Sequence, residues 1–383
     1  MSSNTLDMPL RVCYFGTYRA NYSRNQIFLK GLRSQGVEVY ECHANLWRGI
    51  ADRVDQASGG WRRPGFWLRI VRAYWQLLRA HGRIPPYDVM LIGYPGQFDT
   101  FLGKYLARRR GKRMALDLYM SLYLIAEERG LVEKSPTTGK VIRKLESLGL
   151  HQPDLIISDT AEYVDYHCRT YGLTPDRFQL VPAGADDSFF YRRPDIQPPD
   201  DRFRLIYFGT FIHNHGVPVI IKAAKLIEDH SDIHIELYGE GPERSVSEDL
   251  AKDMGLENVS FHGWTEKAEL AEETARSHAC LGAFGETKQS MMTVQNKIWE
   301  AMSVGRPVIS GDSPTMQDTF TDREQVYLVD RNDPAALADG ILDLASHPGF
   351  TKRMGEAAWQ RAQENNVESL GKLLVQVLGS INK

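Results

Sequence analysis

Arg11-Val-Cys-Tyr-Phe-Gly-Thr-Tyr18 and Arg204-Leu-Ile-Tyr-Phe-Gly-Thr-Phe211 are two copies of the pattern RxxYFGT, 193 positions apart. Each reads as a short apolar β-strand running into a glycine turn, as the first strand of a doubly wound α/β unit does. Outward from the first copy, Val37–Tyr40, Asp88–Ile92, Arg113–Asp117, Asp154–Ser158 and Phe178–Val181 repeat the strand signal between longer helical stretches. Outward from the second, Ile233–Tyr238, Val259–Phe261, Cys280–Ala283, Pro307–Ser310 and Gln325–Val329 do the same, between helical patterns at 217–229, 243–254 and 333–346. Strands alternating with helices predict parallel sheets. Between the two series, Arg192–Asp201 holds three prolines and three acids, a composition that neither a helix nor a central strand tolerates. The sequence therefore predicts an α/β chain of two Rossmann-like domains, 1–195 and 196–355. A helical segment, 356–383, is expected to pack back on the first domain.

With 383 residues, 42% of them hydrophobic and 25% charged, the chain has material for two domains of ~100–200 residues each. A net charge of −3 and a pI near 6.4 supply no general basic field, which argues against nucleic acid as the main partner. Cys13, Cys42, Cys168 and Cys280 form no CxxC pair and read as reduced, mostly buried thiols of a cytoplasmic protein. The start MSSNTLDMPLRV has none of the basic residues, apolar run and cleavage site of an export signal. No stretch approaches the ~20 apolar residues needed to span a bilayer, so any membrane contact is expected to be peripheral, at the inner face. Its candidate is 61–80, where Trp67, Ile70, Val71, Tyr74, Leu77 and Leu78 recur at helical spacing among Arg62, Arg63, Arg69, Arg72 and Arg79. That stretch reads either as a helix lying on an anionic membrane surface or as a core helix with a solvated basic face.

Ligands of doubly wound sheets bind beyond the carboxyl ends of the strands, so the turns there hold the candidate residues. In Phe208–Val217 a strand ends at Gly209 and a helix begins after Gly216, with His213, Asn214 and His215 between. Such a turn offers unpaired N–H groups and a positive dipole end to a phosphate. A protonated His215 would add a cation where charge collects on a leaving nucleotide. The same residues also read as a polar surface turn. In Asn296–Ser310, a helix with Ile298 and Met302 on one side places Asn296, Lys297 and Glu300 on the other. An ionised Glu300 can accept hydrogen bonds from both hydroxyls of a ribose; otherwise this is an ordinary solvated face. Asp117 ends a strand, where a carboxylate can orient or deprotonate an acceptor hydroxyl. Tyr94 and Gln97 lie at the neighbouring strand end, with capping or packing as the alternative for all three. Ser23 reads as the N-cap of the helix carrying Ile27, Phe28 and Leu32. The chain has no Asp-x-Asp, no HExxH and no clustered His/Cys set, so no metal site is predicted.

Gly305-Arg-Pro-Val-Ile309 follows a helix carrying Glu300-Ala-Met302, and Tyr238-Gly-Glu-Gly-Pro242 and Phe261-His-Gly263 stand at earlier strand ends. In that order they resemble the donor-binding domain of retaining GT-B glycosyltransferases of the group 1, family 4 type. Val181-Pro-Ala-Gly-Ala-Asp186 with Phe190, and Asp333-Pro-Ala-Ala-Leu337 opening a helix, extend the resemblance. It implies the GT-B architecture: an acceptor-binding and a nucleotide-sugar-binding Rossmann-like domain facing across a cleft, with a C-terminal helix crossing back. Carried over by residue, it implies that Glu300 binds the donor ribose and that the Gly209–Thr210 turn, with His215 and Gly216, meets the diphosphate. The main chain from His262 to Trp264 would read the base, and Gly16 would bring the first domain's backbone against the donor phosphates. Gly241 and Lys297 complete the donor-binding set, and Asp117 and His215 are the catalytic candidates. Two positions depart from the family: Met292 stands where a second Glu is usual, and Thr210 or Phe211 and His215 stand where Arg and Lys are usual. Arg19 and Arg24 of the first half, or Glu286 and Lys288 of the loop Phe284–Lys288, are the candidates to supply the missing charge. At the strand end held by Asp117 the family often has a His.

The resulting expectation is retaining, metal-independent sugar transfer, the departing phosphate assisting deprotonation of the acceptor. No cofactor is implied beyond the nucleoside diphosphate sugar as co-substrate; the acceptor is a glycan, a lipid-linked molecule or a small molecule. Two rivals share the fold: a degenerate, nucleotide-sugar-binding protein without chemistry, and a sugar-nucleotide epimerase.

Overall fold

The computed structural model describes residues 9–46 and 64–381. They divide into two compact units, one made of the residues up to Pro182 together with those from Val367 onward, the other of Ala183–Asn366. The proline-rich stretch 192–201 lies within the second unit, where Arg192 pairs with Glu356 and its guanidinium stands 4.5 Å from the centre of the Trp359 ring.

In the first unit β1 (Arg11–Gly16), β2 (Glu38–His43), β3 (Val89–Ile92), β4 (Arg113–Asp117), β5 (Leu155–Ser158) and β6 (Phe178–Leu180) form one parallel sheet in the order β2-β1-β3-β4-β5-β6. Its central strands are apolar on both sides because helices cover both faces. Cys13, Phe15, Met90, Ile92 and Leu116 point to one face, beneath the helices Pro64–Arg83, Thr100–Arg109, Pro136–Leu150 and Ala161–Tyr171. Val12, Tyr14, Val89 and Leu91 point to the other, against the helices Ser23–Ser34 and Val367–Ser380.

Three local expectations change here. Tyr22, not Ser23, occupies the N-cap of the first helix, and no side chain caps it. The entry is held instead by Asn25, whose Nδ2 donates to the carbonyls of Arg19 (2.8 Å) and Tyr94 (2.6 Å). The helix Pro64–Arg83 is neither a plain core helix nor wholly solvated: it buries Ala73, Leu77 and His81 but exposes Trp67, Val71 and Leu78. Trp61, Arg62 and Arg63 lie outside the described residues. The helical segment expected over 356–383 is formed by two helices, Pro348–Gln363 and Val367–Ser380, interrupted at 364–366. There Asn365 Nδ2 donates to the carbonyl of Ala183 at 2.8 Å.

The second unit repeats the plan with β7 (Phe203–Phe208), β8 (Ile233–Tyr238), β9 (Val259–His262), β10 (Ala279–Leu281), β11 (Val308–Gly311) and β12 (Tyr327–Val329), all parallel, in the order β12-β11-β10-β7-β8-β9. In both sheets the RxxYFGT strand stands where the strand order reverses, β1 beside β3 and β7 beside β10. That reversal opens a crevice at the carboxyl end, so Gly16 and Gly209 mark the same place in their units. Among the described residues no helix is long and apolar enough to cross a membrane.

The helices Ser23–Ser34 and Val367–Ser380 touch through glycines: a Cβ on Gly371 would lie 2.3 Å from the carbonyl oxygen of Gly31. Gly371→Leu is therefore expected to force these helices apart and cost about 1–3 kcal/mol, read as a lower melting temperature. Gly379→Ala, at a position with no neighbouring atom within 4 Å, should leave it unchanged or slightly raised. Equal melting temperatures for Gly371→Leu and wild type would refute the close packing.

Candidate functional site

The turns at the carboxyl end of the second sheet are tied to one another through the main chain. Gly209 N donates to the carbonyl of Tyr238 (3.0 Å), Phe211 N to that of Glu240 (3.0 Å), Gly239 N to that of His262 (3.2 Å) and Phe284 N to that of His215 (2.9 Å). These bonds gather Gly209–Gly216, Gly239–Gly241, His262–Trp264 and Phe284–Lys288 around the end of β7. Gly209 has φ +148°, and a Cβ there would stand 2.9 Å from Lys297 Nζ. The backbone conformation and the lysine together require glycine.

Lys297 and Glu300 come from the first turns of the helix Asn296–Val304. The expected solvated face is corrected by the structure, because Lys297 is 6% and Glu300 7% exposed. The helix is closed in on the Ile298–Trp299 side as well, Trp299 packing 5.0 Å from Phe320. Lys297 Nζ sits 3.9 Å from the centre of the Tyr207 ring and 3.3 Å from His215 Nδ1. Burial lowers its pKa well below the usual value, against the pull of Glu300. Burial also pushes the Glu300 carboxyl up to about 7; Lys267 and Lys297 oppose the rise and Asp186 adds to it. Glu300 has no hydrogen-bond or ion-pair partner among the described residues, so the helix keeps a sequestered carboxylate without satisfying it.

His215 is half-buried. Its Nδ1 lies 2.7 Å from the carbonyl of Thr210 and 2.9 Å from the Tyr207 hydroxyl. The carbonyl can only accept, so Nδ1 carries the proton and Nε2 is the unprotonated nitrogen. Burial, then Lys297, lower its pKa well below the usual value, with the Thr210 carbonyl in partial opposition. Its surroundings alone thus hold the imidazole toward the neutral form, and a further basic group, Lys297, is placed against Gly209.

His262 stacks on Tyr238 (4.2 Å between ring centres) and pairs through Nε2 with Glu236, while Trp264 is exposed. Glu286 and Lys288 are exposed and flank Thr287, whose side chain caps the short helix Lys288–Met292. Beneath that loop Arg331 Nη1 donates to the carbonyl of Gly285 at 2.8 Å. Sequence reasoning missed Arg331 and Lys267, and quoted Asp186 within a motif without giving it a role; none of the three belongs to the helix carrying Lys297 and Glu300 or to the Gly209 turn. Among the described residues no three His, Cys, Asp or Glu side chains group as metal ligands.

In the first unit Gly16 has φ +130° and rests on Asp99, whose Oδ2 accepts from Thr17 N (2.6 Å) and Thr17 Oγ1 (2.9 Å). Asp117 is fully buried and accepts Arg24 Nε on both oxygens, at 2.8 and 3.0 Å. Arg24 also donates from Nη1 to the carbonyl of Pro182 and from Nη2 to that of Val181. Burial opposes its charge, but Asp117 and Asp159 outweigh it and hold the guanidinium pKa above its usual value. Tyr94 and Tyr119 meet edge to face at 5.5 Å, Tyr22 lies 5.3 Å from Tyr94, and Arg19 stands 5.1 Å from the centre of the Tyr22 ring. Gln97 Nε2 donates to the carbonyl of Met120 at 2.8 Å. The predicted residues Gly16, Arg19, Arg24, Tyr94, Gln97 and Asp117 thus share one end of the first sheet. Asp159, just past β5, is a carboxylate that the sequence reading passed over. It is 6% exposed, its oxygens have no hydrogen-bond partner, and burial pushes it up to about 7.

Residues 202–347, within the second unit, match the family model described as "Glycosyl transferases group 1". The lipopolysaccharide core biosynthesis glycosyltransferase LpsD of Rhizobium meliloti is 28% identical over 163 residues, a match covering 42% of this chain and 45% of that protein. The chain thus spans less than half the length of that relative. D-inositol 3-phosphate glycosyltransferase 1 of Catenulispora acidiphila is 24% identical over 305 residues, 71% of this chain and 70% of that protein. Among solved structures, sucrose-phosphate synthase from Thermosynechococcus elongatus superposes with TM-score 0.76 at 17% identity, covering 98% of this chain and 99% of that one. Anabaena HepE in complex with UDP-glucose gives 0.69 at 15% identity, covering 97% and 100%. The fold is GT-B.

The raised pKa of Glu300 has a consequence for stability. A carboxyl titrating near 7 in the folded chain and near 4.5 in the unfolded one makes the folded state hold the proton more tightly. Stability is lost as pH rises from 4.5 through 7, by up to about 3 kcal/mol. Glu300→Gln removes this term, so its melting temperature relative to wild type should be higher at pH 8 than at pH 5. The same difference at both pH values would show that Glu300 is not held near 7.

Proposed function

We propose that this protein transfers a sugar from a nucleoside diphosphate sugar to an acceptor hydroxyl, the second unit holding the donor and the first the acceptor. The observation that carries the reading is the sequestered pair Lys297 and Glu300 beside the Gly209 turn. A carboxylate with free acceptor capacity suits the two ribose hydroxyls. A buried amine next to a glycine that lets the backbone approach suits a diphosphate, whose charge would restore the ammonium form that burial disfavours. Lys297 then takes the part of the Arg/Lys pair missing from the turn, and the N–H groups opening the helix Val217–Leu226 assist it. The match to the group 1 family model and the glycosyltransferase names of the relatives support the same reading. HepE was solved with UDP and with UDP-glucose, which makes UDP the first nucleotide to test.

The chemistry we propose is retaining and metal-independent. The departing diphosphate accepts the acceptor's proton, and Lys297 with the helix N-terminus offsets the charge that develops on it. The chain's own contribution is positioning and electrostatics. In the first unit, Asp117 tied to Arg24 orients the acceptor site, with Tyr94, Gln97 and the neighbouring tyrosines as its walls. Relatives named for lipopolysaccharide core and D-inositol 3-phosphate glycosyl transfer favour a hydroxyl-rich acceptor: a glycan, a lipid-linked molecule or a small polyol.

Calorimetric titration with UDP and with uridine separates the two roles. Glu300→Gln should weaken both ligands by about ten- to a hundredfold, the worth of a hydrogen bond to a charged group. Lys297→Met should weaken UDP by a similar factor and leave uridine unchanged. UDP affinity unaltered in both variants would remove them from the site. Incubation of wild type with nucleotide sugars and acceptors, with and without EDTA, should give a transferred product with the donor's anomeric configuration in both cases. A donor that is bound but neither transferred nor hydrolysed would refute catalysis, and an epimerised donor would identify an epimerase.

A further inference from the structure

Three helices that lie side by side on one face of the first sheet are rich in basic residues and nearly free of acids. Pro64–Arg83 carries four arginines and no acid. Thr100–Arg109 carries one lysine, two arginines and no acid. Pro136–Leu150 carries two lysines, one arginine and a single acid, Glu146. That acid is fully buried, where it accepts hydrogen bonds from Ser121, Tyr171 and the amides of Leu122 and Tyr123. A chain of net charge −3 has therefore gathered positive charge on one layer.

The same layer exposes large apolar side chains. On the first helix Trp67, Leu68, Val71, Trp75 and Leu78 are 42–70% exposed and fall on one stripe, opposite the buried Ala73, Leu77 and His81. Arg72, Arg79 and Arg83 are exposed along its edge, and the Arg79 guanidinium stands 3.7 Å from the centre of the Trp75 ring. The neighbouring helices add exposed Phe101 and Tyr105, then Val141, Leu145 and Leu148. The helices are held as one layer. Arg110 Nη2 donates to the carbonyl of His81 at 2.7 Å, Tyr74 donates to that of Phe98 at 3.2 Å, and Gly149 packs against Gln97 and Thr100.

We infer that this face docks the protein on an anionic lipid bilayer, with Trp67, Val71, Trp75 and Leu78 entering the headgroup boundary and the basic residues of the three helices meeting lipid phosphates. Among the described residues these aromatic and aliphatic side chains stay exposed while the helix uses its opposite side for the core. Leaving them in water costs more than placing them in a bilayer interface. Lys104 is tied to Asp154 at 2.6 Å, but Arg72, Arg79, Arg83, Arg108, Arg109, Lys140, Arg143 and Lys144 are exposed, and exposed basic residues select a surface of negative potential, where each adds to binding. The inference does not rest on the glycosyltransferase reading, since none of these residues belongs to the candidate site.

The test is co-sedimentation of the full chain with vesicles of pure phosphatidylcholine and of phosphatidylcholine mixed equally with phosphatidylglycerol. Wild type should partition at least about tenfold more strongly onto the anionic vesicles, and lose that preference at high salt. Val71→Ser with Trp75→Ser, and separately Arg72→Glu with Arg83→Glu, should each reduce partition by about tenfold or more. These side chains are exposed, so melting temperature and UDP affinity should match wild type and exclude misfolding as the cause. No sedimentation of wild type, equal partition onto both vesicle types, or variants that bind as well as wild type would overturn the inference. So would a wild-type dimer in lipid-free solution that the same substitutions make monomeric, because the stripe would then be covered by a second copy.

Discussion

A lysine and a glutamate one helical turn apart, both shut off from solvent, set the terms for the second unit. An isolated buried charge is expensive, and here the cost is visible in opposite directions: burial drives Lys297 down and Glu300 up to about 7. Neither group is neutralised by a close ion pair with the other. The helix that carries them is enclosed by Phe320 on one side and by Tyr207 and the Gly209 turn on the other, so the side chains cannot escape into water. In the proposed function, a ligand with phosphate charge and vicinal hydroxyls relieves this unfavourable desolvation. Glycine at 209 follows from the same constraint, because the ammonium fills the space a side chain would need.

The first unit handles its buried charges differently. Asp117 is met by Arg24 on both oxygens, and Arg24 is anchored further by the carbonyls of Val181 and Pro182. Burying a pair with good geometry and additional hydrogen bonds is tolerable where burying one partner alone is not. A strand end, a helix start and the residues Val181 and Pro182 that end the unit's first segment are thereby locked together. Arg24, which the sequence offers as a cation for the donor, is held by Asp117 and two carbonyls. Asp159, at the same sheet end, has no side-chain hydrogen bond on either oxygen among the described residues, and burial pushes it up to about 7 against the pull of Arg24.

Charge is also sorted on the larger scale. The acids of the chain are absent from the exposed parts of three adjacent helices, and apolar rings fill the intervals between their basic residues. Periodicity alone could not separate this from a core helix, since the helix Pro64–Arg83 has two apolar stripes rather than one. Only packing tells which stripe the sheet takes.

By itself the sequence determined the two α/β sheets, their twelve strands to within a few residues, and the glycine turns at Gly16 and Gly209, because apolar runs of strand length and glycine at a strand end are local properties of the chain. Its motif order also pointed to the helix with Glu300 as a candidate site. Tertiary structure alone decided the setting of those side chains: Lys297 and Glu300 buried, His215 held toward its neutral form by its surroundings, Ser23 inside a helix instead of capping it, and Asp117 joined to an arginine 93 positions away. Burial, tautomer and ion pairing depend on neighbours brought in from distant segments, and no window of sequence contains them.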